Sequence, residues 1–122
     1  MSDRNNRERE ADAMLPLSPA TFHILVALAD EDRHGFGIIR DVTDRTGGAL
    51  RLGPGTLYRT LQQMLESGLI AEVRQPPPRK EEDRRRYYRI TALGTAAAKA
   101  ETRRLAGLVR MARARGLSPN RG

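Results

Sequence analysis

The segment LGPGTLYRTLQQMLESGLI, residues 52–70, constrains the fold of this chain more than any other stretch of its sequence. Its opening glycines and proline resemble a phosphate-binding loop, but the Lys-Ser/Thr pair or third spaced glycine that such a loop needs does not follow. A helix start explains the run better, because Gly53 suits an N-cap and Pro54 suits the first helical position. Gly68 then ends the helix, since glycine tolerates the left-handed backbone found at helix ends.

The predicted helix has an apolar side and a polar side. Leucine and methionine recur at helical spacing, so one side is suited to a core. The core side consists of Leu57, Leu61, Met64 and Leu65. The other side carries residue types that pair with phosphates and base edges in a DNA major groove. We assign Arg59 and Gln63, at the centre of this side, to base edges, and Thr56 and Tyr58, nearer its start and border, to phosphates. Gln62 lies on the same side. An ordinary solvated face is the alternative for this helix taken alone.

The charge of the chain favours a polyanionic partner. The 122 residues have a net charge of +7 and a pI near 10.9. Residues 74–90 contain seven basic and three acidic residues, and residues 91–122 contain seven basic and one acidic residue. There is no cysteine for a disulfide or a thiolate zinc site, and no apolar run approaches the ~18 residues of a membrane span. We therefore expect a cytoplasmic protein with a polyanionic partner. No cofactor is expected.

Two further helices are predicted before this segment. One begins at Ser18, which suits an N-cap and is followed by a first-turn proline. The other runs from about His34 to Thr46 and ends at a glycine pair. Phe22 and Phe36 are expected in the core. Three short helices with tight connections are the layout of a helix-turn-helix domain.

A short β-hairpin is predicted after the third helix. Residues 69–74 and Tyr87–Ile90 have strand character, and the sequence QPPPRKEEDRRR separates them. A hairpin in this place is called a wing. Strand alternation assigns Tyr88 and Ile90 to the core face and Tyr87 and Arg89 to the outer face. The basic residues expected to contact phosphates are Arg84, Arg85 and Arg86.

A last helix is predicted from Ala92 to about Arg115, with Thr91 as its N-cap. Its apolar stripe is too extensive for an isolated exposed helix, and small residues within it allow close approach of a partner. This predicts a two-fold dimer. The expected interface residues are Leu93, Ala97, Ala100, Leu105, Leu108, Val109 and Ala112.

These elements predict a mainly α protein with a small β-hairpin, a winged helix-turn-helix followed by a dimerisation helix. Residues 1–13 are charged and lack apolar periodicity, so a flexible arm is expected there. The DNA-binding domain would comprise residues 14–90 and the dimerisation helix residues 91–115. Residues 116–122 would form a flexible tail.

Three blocks of the sequence carry a family resemblance. In order, they are HGFGI at residues 34–38, GPGTLY at residues 53–58 and RYY at residues 86–88. With their flanks, over roughly residues 15–115, they resemble the PadR family of bacterial transcriptional regulators, in its short subgroup with one C-terminal helix. The resemblance implies a homodimer, usually a repressor, that dimerises through its last helix, and some similar proteins sense small molecules. A two-fold dimer implies an inverted-repeat operator.

Other functions remain to be weighed against this one. A winged-helix module that binds protein, or an architectural DNA-binding protein without a ligand, would use the same fold. No nucleophile–base pair or pair of catalytic carboxylates indicates an enzyme. His23 and His34 lack the companions of a metal-ligand set, and His34 is expected to begin or cap its helix. If an effector exists, the absence of tryptophan disfavours a planar aromatic compound. An amphipathic or anionic one is favoured by the arginines at 103, 104, 110, 113 and 115.

Overall fold

The structure, a computed structural model, describes residues 3–73 and 86–118. Within these ranges the chain forms five helices and three strands. In chain order they are α1 (Asp3–Ala13), α2 (Pro19–Leu28), β1 (Arg33–His34), α3 (Gly35–Arg45), α4 (Pro54–Glu66), β2 (Ile70–Val73), β3 (Tyr87–Ile90) and α5 (Ala92–Ala114). The predicted mainly α fold with a small hairpin is confirmed.

Side chains that cap the helices fix where the elements begin. The Ser18 hydroxyl accepts the Thr21 N–H at the start of α2 (3.1 Å), and the Thr91 hydroxyl accepts the Gly94 N–H at the start of α5 (3.0 Å). His34 Nδ1 accepts the Gly37 N–H at the start of α3 (3.0 Å). Each bond satisfies a backbone donor that the helix itself leaves unpaired. The predicted caps, and the predicted role of His34 as a capping residue, are therefore confirmed.

The N-terminal segment differs from its prediction as a flexible arm. Residues Asp3–Ala13 form α1, which packs against α5 and buries Ala11. Met14, which follows the helix, is half-buried against the main core. The charged residues around Ala11 remain in solvent, so the segment has no apolar periodicity that would indicate a helix. Its order depends on α5, which supplies the surface that α1 covers.

The hydrophobic core lies where α2, α3 and α4 meet, and α5 closes it. Its largest fully buried side chains are Ile24, Leu25, Leu28, Ile38, Val42, Leu57, Leu61 and Met64. Phe22 is half-buried, but Phe36 is 57% exposed, so its assignment to the core was wrong. The buried face of α3 contains Gly35, Ile38 and Val42 at spacings of three and four. Phe36 lies about 100° around the helix from Gly35 and faces out.

The sheet has the strand order β1-β3-β2, with both pairs antiparallel. The hairpin of β2 and β3 was predicted, whereas β1 was not, because two residues are too short to show alternation. Tyr88 is buried and Arg89 exposed, which confirms the alternation along β3. Tyr87 is half-buried because its ring lies edge-on to that of His34, with centroids 5.3 Å apart. The predicted strand-linking segment comprises residues 75–86, of which residues 75–85 lie outside the described residues, as does residue 74 at the predicted end of the first strand.

A tight junction joins α4, the sheet and α5. Gly68 ends the α4 region with φ +80°, a backbone conformation that favours glycine. The Thr91 hydroxyl donates to the Gly68 and Leu69 carbonyls (2.6 and 3.0 Å), and the Thr91 N–H also donates to Leu69 (3.1 Å). A Cβ on Gly94 would lie 2.1 Å from the Leu69 oxygen, so α5 starts in direct contact with the backbone that follows α4.

Candidate DNA interface

Helix α4 presents one buried side and one exposed side, as its pattern predicts. Leu57, Leu61 and Met64 are buried, while the residues assigned to DNA on this helix are all exposed: Thr56, Tyr58, Arg59, Gln62 and Gln63. The Thr60 hydroxyl, on the buried side, donates to the Thr56 carbonyl (2.7 Å) and is satisfied within the helix. The side chains on the exposed side therefore do not pack in the core and are available for a partner.

The positions around α4 refine the assignments within this face. At 100° per residue, Arg59 and Gln62 lie near the middle of the exposed arc, and Tyr58 and Thr56 lie at its two borders. Gln63 lies further from the middle of the exposed arc than Arg59 and Gln62 do. It lines a groove together with Met14 and Leu17, which precede α2. The Gln62 amide donates to the Glu66 carboxylate (3.2 Å), which orients its side chain along the helix.

Tyr58 leans from α4 toward the start of α3. A Cβ built on Gly35 would lie only 2.6 Å from the Tyr58 hydroxyl oxygen and 3.0 Å from its Cζ. The tyrosine ring therefore occupies the space that a side chain at position 35 would take. Phe36 was not predicted as a neighbour of the interface, because a phenylalanine is expected inside.

The base of the wing adds one described cation to this surface. Arg86 is exposed, and its Nε lies 3.4 Å from Glu72 Oε1 on the neighbouring strand. Arg84 and Arg85 lie outside the described residues. Burial raises the pKa of Tyr88, and the nearby Glu72 raises it further while Arg86 lowers it. Tyr88 is thus a neutral phenol on the buried side of β3.

Arg89 is held by an ion pair within the chain. Its guanidinium donates two hydrogen bonds to Asp32 (3.1 and 2.8 Å), and these bonds raise the pKa of Arg89. The pair ties β3 to the loop between α2 and β1. A side chain in such a two-pronged pair fixes the sheet and is not a free phosphate contact.

The interface stripe predicted on α5 divides into two parts. Ala97 and Ala100 are buried within the chain and Leu93 is half-buried. Leu105, Leu108 and Val109 are exposed, together with Met111 at 61% exposure, while Ala112 is half-buried. The first part of the stripe therefore completes the core of its own chain, and only the second part is open to a partner.

A buried carboxylate marks the boundary between these parts. Glu101 is 3% exposed, and Arg104 donates to both of its oxygens (2.8 and 2.6 Å). The Leu17 N–H donates to the same carboxylate (3.4 Å), so Glu101 also holds the segment before α2. The Arg104 hydrogen bonds hold the pKa of Glu101 below its usual range, against the effect of burial. The Arg104 guanidinium is thus engaged in the ion pair with Glu101.

In the described ranges, no group of three His, Cys, Asp or Glu side chains is placed to hold a metal ion. No helix of that part of the chain is both long enough and apolar enough to cross a membrane. The candidate interface is therefore the exposed side of α4 with its neighbours.

Comparison with known proteins agrees with this geometry. The sequence model of the "transcriptional regulator PadR-like family" matches residues 24–100. A PadR family transcription regulator from Clostridium difficile R20291 has a similar structure, with a TM-score of 0.68, 21% identity, and coverage of 79% of this chain and 96% of that chain. A transcriptional regulator from Clostridium thermocellum gives a TM-score of 0.65 at 24% identity over 75% of this chain and 86% of that chain. RosR of H. salinarum has a TM-score of 0.63 and 22% identity, with coverage of 79% of this chain and 80% of that chain. No curated protein matches the chain.

The three helices, the hairpin and the exposed face of α4 define a winged helix-turn-helix protein of the DNA-binding class. The family match begins within α2, includes α3, α4 and both hairpin strands, and ends within α5. The chain belongs to the PadR-like family of transcriptional regulators. The resemblance predicted from the three sequence blocks is confirmed.

Proposed function

We propose that the chain is a homodimeric repressor that binds an inverted-repeat operator through two copies of α4. The observation that carries this proposal is the exposed polar face of α4 in a transcriptional regulator of this family. Arg59 and the glutamines supply donors and acceptors for base edges, while Thr56 and Tyr58 at the borders suit phosphates. In a two-fold dimer the half-sites would lie about one helical turn apart.

The dimer is proposed to form through the end of α5. Leu105, Leu108, Val109 and Met111 leave a contiguous apolar surface exposed, which in a soluble protein marks an interaction site. At 100° per residue, Leu105, Leu108 and Val109 lie within about 100° of one another, so they share one side of the helix, and Met111 lies at the border of that side next to Leu108. A second copy of the same helix, related by a two-fold axis, would cover this surface with its own.

Selection of duplexes from a random pool, combined with light scattering, tests the DNA-binding part of the proposal. We expect an enriched inverted repeat and the mass of a dimer, both free and on DNA. An enriched sequence without two-fold symmetry, or a monomer that binds with full affinity, would contradict the proposed arrangement. Failure to retain any duplex would favour a module that binds protein, and retention without enrichment would favour an architectural DNA-binding protein.

Repression is tested with a reporter whose promoter overlaps the selected site. Occupancy of that site would exclude the polymerase, so expression of the regulator should lower the reporter signal. A promoter with a scrambled site is the control. A higher signal from the overlapping site would show an activator and contradict repression.

We also propose that an amphipathic anion acts as effector beside the dimer helices. A groove of about 480 Å³ between α2 and α5 is lined by Phe22, Val26 and Ala98, with Lys99 and Arg103 among its polar residues. This volume and this mixture of apolar floor and cations suit a small organic acid. A ligand there would shift binding only if it favours one spacing of the two α4 helices over another.

Release of the selected duplex, titrated with aromatic and fatty acids and with neutral planar dyes, tests the effector. Acids are expected to release DNA, and Arg103→Ala should weaken their effect more than Arg110→Ala, because Arg110 does not line the groove. Release by the dyes alone would contradict the anionic effector.

A further inference from the structure

A cavity beside the start of α4 is not explained by the core or by the dimer. It has a volume of about 280 Å³ and lies between α3, α4 and the base of the wing. Its walls are His34, Gly35, Phe36, Tyr58, Arg86 and Tyr88. It therefore joins the border of the exposed α4 face to Arg86 at the base of the wing.

The orientation of Tyr58 in this cavity depends on the absence of a side chain at position 35. The hydroxyl oxygen and Cζ of Tyr58 lie 2.6 and 3.0 Å from where a Cβ of residue 35 would be. Gly37, two residues further along α3, has only ordinary contacts, since its Cβ would lie 3.5 Å from His34 Cε1. The close approach is thus specific to Gly35, and any larger residue there would displace the Tyr58 ring.

The walls combine three kinds of chemistry. Phe36 presents an aromatic ring with 57% of the residue exposed, and Tyr58 is 46% exposed with its hydroxyl at the cavity. Arg86 contributes a cation. It is paired with Glu72, and both side chains of this ion pair are exposed to solvent. An apolar ring next to a cation and a hydroxyl donor complements a sugar–phosphate unit, which has an apolar sugar face beside an anion. Stacked bases inside a duplex would not reach such a pocket.

We propose that this cavity receives one sugar–phosphate unit of the DNA backbone, with Phe36 against the deoxyribose and Tyr58 and Arg86 donating to the phosphate. Gly35 acts as a positioning residue, because it lets the Tyr58 ring lie in place. This inference rests on the proposed function. A duplex with α4 in its major groove presents the backbone that flanks the groove to the residues at the border of that helix.

The contact of Phe36 is tested by anisotropy with a labelled duplex of random sequence and with one selected from a pool. Phe36→Ala is expected to weaken binding to both duplexes by about tenfold, which corresponds to ~1.4 kcal/mol. The slope of affinity against salt should stay unchanged, because no charge is lost. Arg86→Ala should instead reduce that slope by about one unit. Leu117→Ala, which also truncates an exposed apolar side chain, is the control and should bind as the parent does.

Each alternative result has a defined meaning. If Phe36→Ala binds both duplexes as tightly as the parent, the sugar contact is refuted while the proposed function stands. If the same variant lowers the mass in light scattering, Phe36 belongs to a protein interface and the inference is again refuted. If the parent binds neither duplex, the inference and the proposed function fail together.

The role of Gly35 is tested against Gly37, which undergoes the same substitution in the same helix. Tyr58→Phe should weaken binding about two- to tenfold, through the loss of one hydrogen bond. Gly35→Ala should weaken binding at least as much, and Gly37→Ala should not. The double variant with Gly35→Ala and Tyr58→Phe should bind no more weakly than Gly35→Ala alone, because both changes act on one contact. Fully additive losses, or equal effects of the two glycine substitutions, would refute the positioning role.

Discussion

Gly94→Ala tests the junction at which the wing meets α5. The added Cβ would lie 2.1 Å from the Leu69 oxygen and 2.9 Å from Ile90 Cγ1. The Leu69 oxygen cannot move freely, because it accepts hydrogen bonds from the Thr91 N–H and the Thr91 hydroxyl (3.1 and 3.0 Å). The substitution must therefore either shift the start of α5 or disturb these two bonds.

The magnitude follows from three contributions. Overpacking costs about 1–3 kcal/mol, and weakening two hydrogen bonds costs about 1–3 kcal/mol more. Alanine returns about 1 kcal/mol through its helix propensity. We expect the free energy of unfolding to fall by roughly 3 kcal/mol, measured by urea denaturation followed by circular dichroism at one fixed protein concentration.

Gly55→Ala is the matched control, because Gly55 also lies in the first turn of a helix and has no atom within 4 Å of its Cβ position. It should leave stability unchanged or raise it by up to ~1 kcal/mol. If Gly94→Ala and Gly55→Ala change the free energy of unfolding equally, the junction is not rigid and the reasoning from its geometry is wrong.

Three further outcomes are expected. Leu105→Asp with Leu108→Asp should yield monomers in light scattering, since charge would enter an apolar contact; a stable dimer would place the interface elsewhere. Arg59→Ala should reduce discrimination between the selected site and its single-base variants by about 1–3 kcal/mol; unchanged selectivity in competition assays would remove Arg59 from base reading. Glu101→Gln should destabilise the protein at neutral pH and less so in acid. The folded-state pKa of Glu101 is lowered, so its contribution is present above the unfolded-state pKa and is lost as pH falls through the folded one. A pH-independent difference in unfolding free energy between variant and parent would contradict this.

Features determined by neighbours in the chain were predictable from sequence. The starts of α2, α4 and α5 follow from Ser18, the Gly53-Pro54 pair and Thr91, because a cap or a first-turn proline acts within three residues of itself. The end of α4 just before Gly68 is equally local, since it depends on the left-handed backbone conformation of that one residue. The polar face of α4 follows from the helical repeat alone.

Features that depend on distant contacts were not predictable. Helix α1 has one buried alanine and forms against α5, nearly a whole chain length away in sequence. Strand β1 is defined only by its partner β3. Phe36 was assigned to the core on residue type, although Gly35, Ile38 and Val42 already complete the buried face of α3. Hydrophobicity gave no indication that a glycine without a side chain would occupy that face.

The division of α5 separates the part that stabilises the fold from the part that is open to a partner. Every buried residue of the helix, and the Glu101–Arg104 pair, lies before Leu105. A chain that ended after Arg104 would retain those contacts and lose the exposed leucines, so this fragment should fold as a monomer with one copy of α4. The affinity of this fragment for one half-site, compared with that of the proposed dimer for the proposed full site, would give the effective concentration at which the second α4 meets its own half-site. Linkage through α5 would then determine binding strength without any additional contact to DNA.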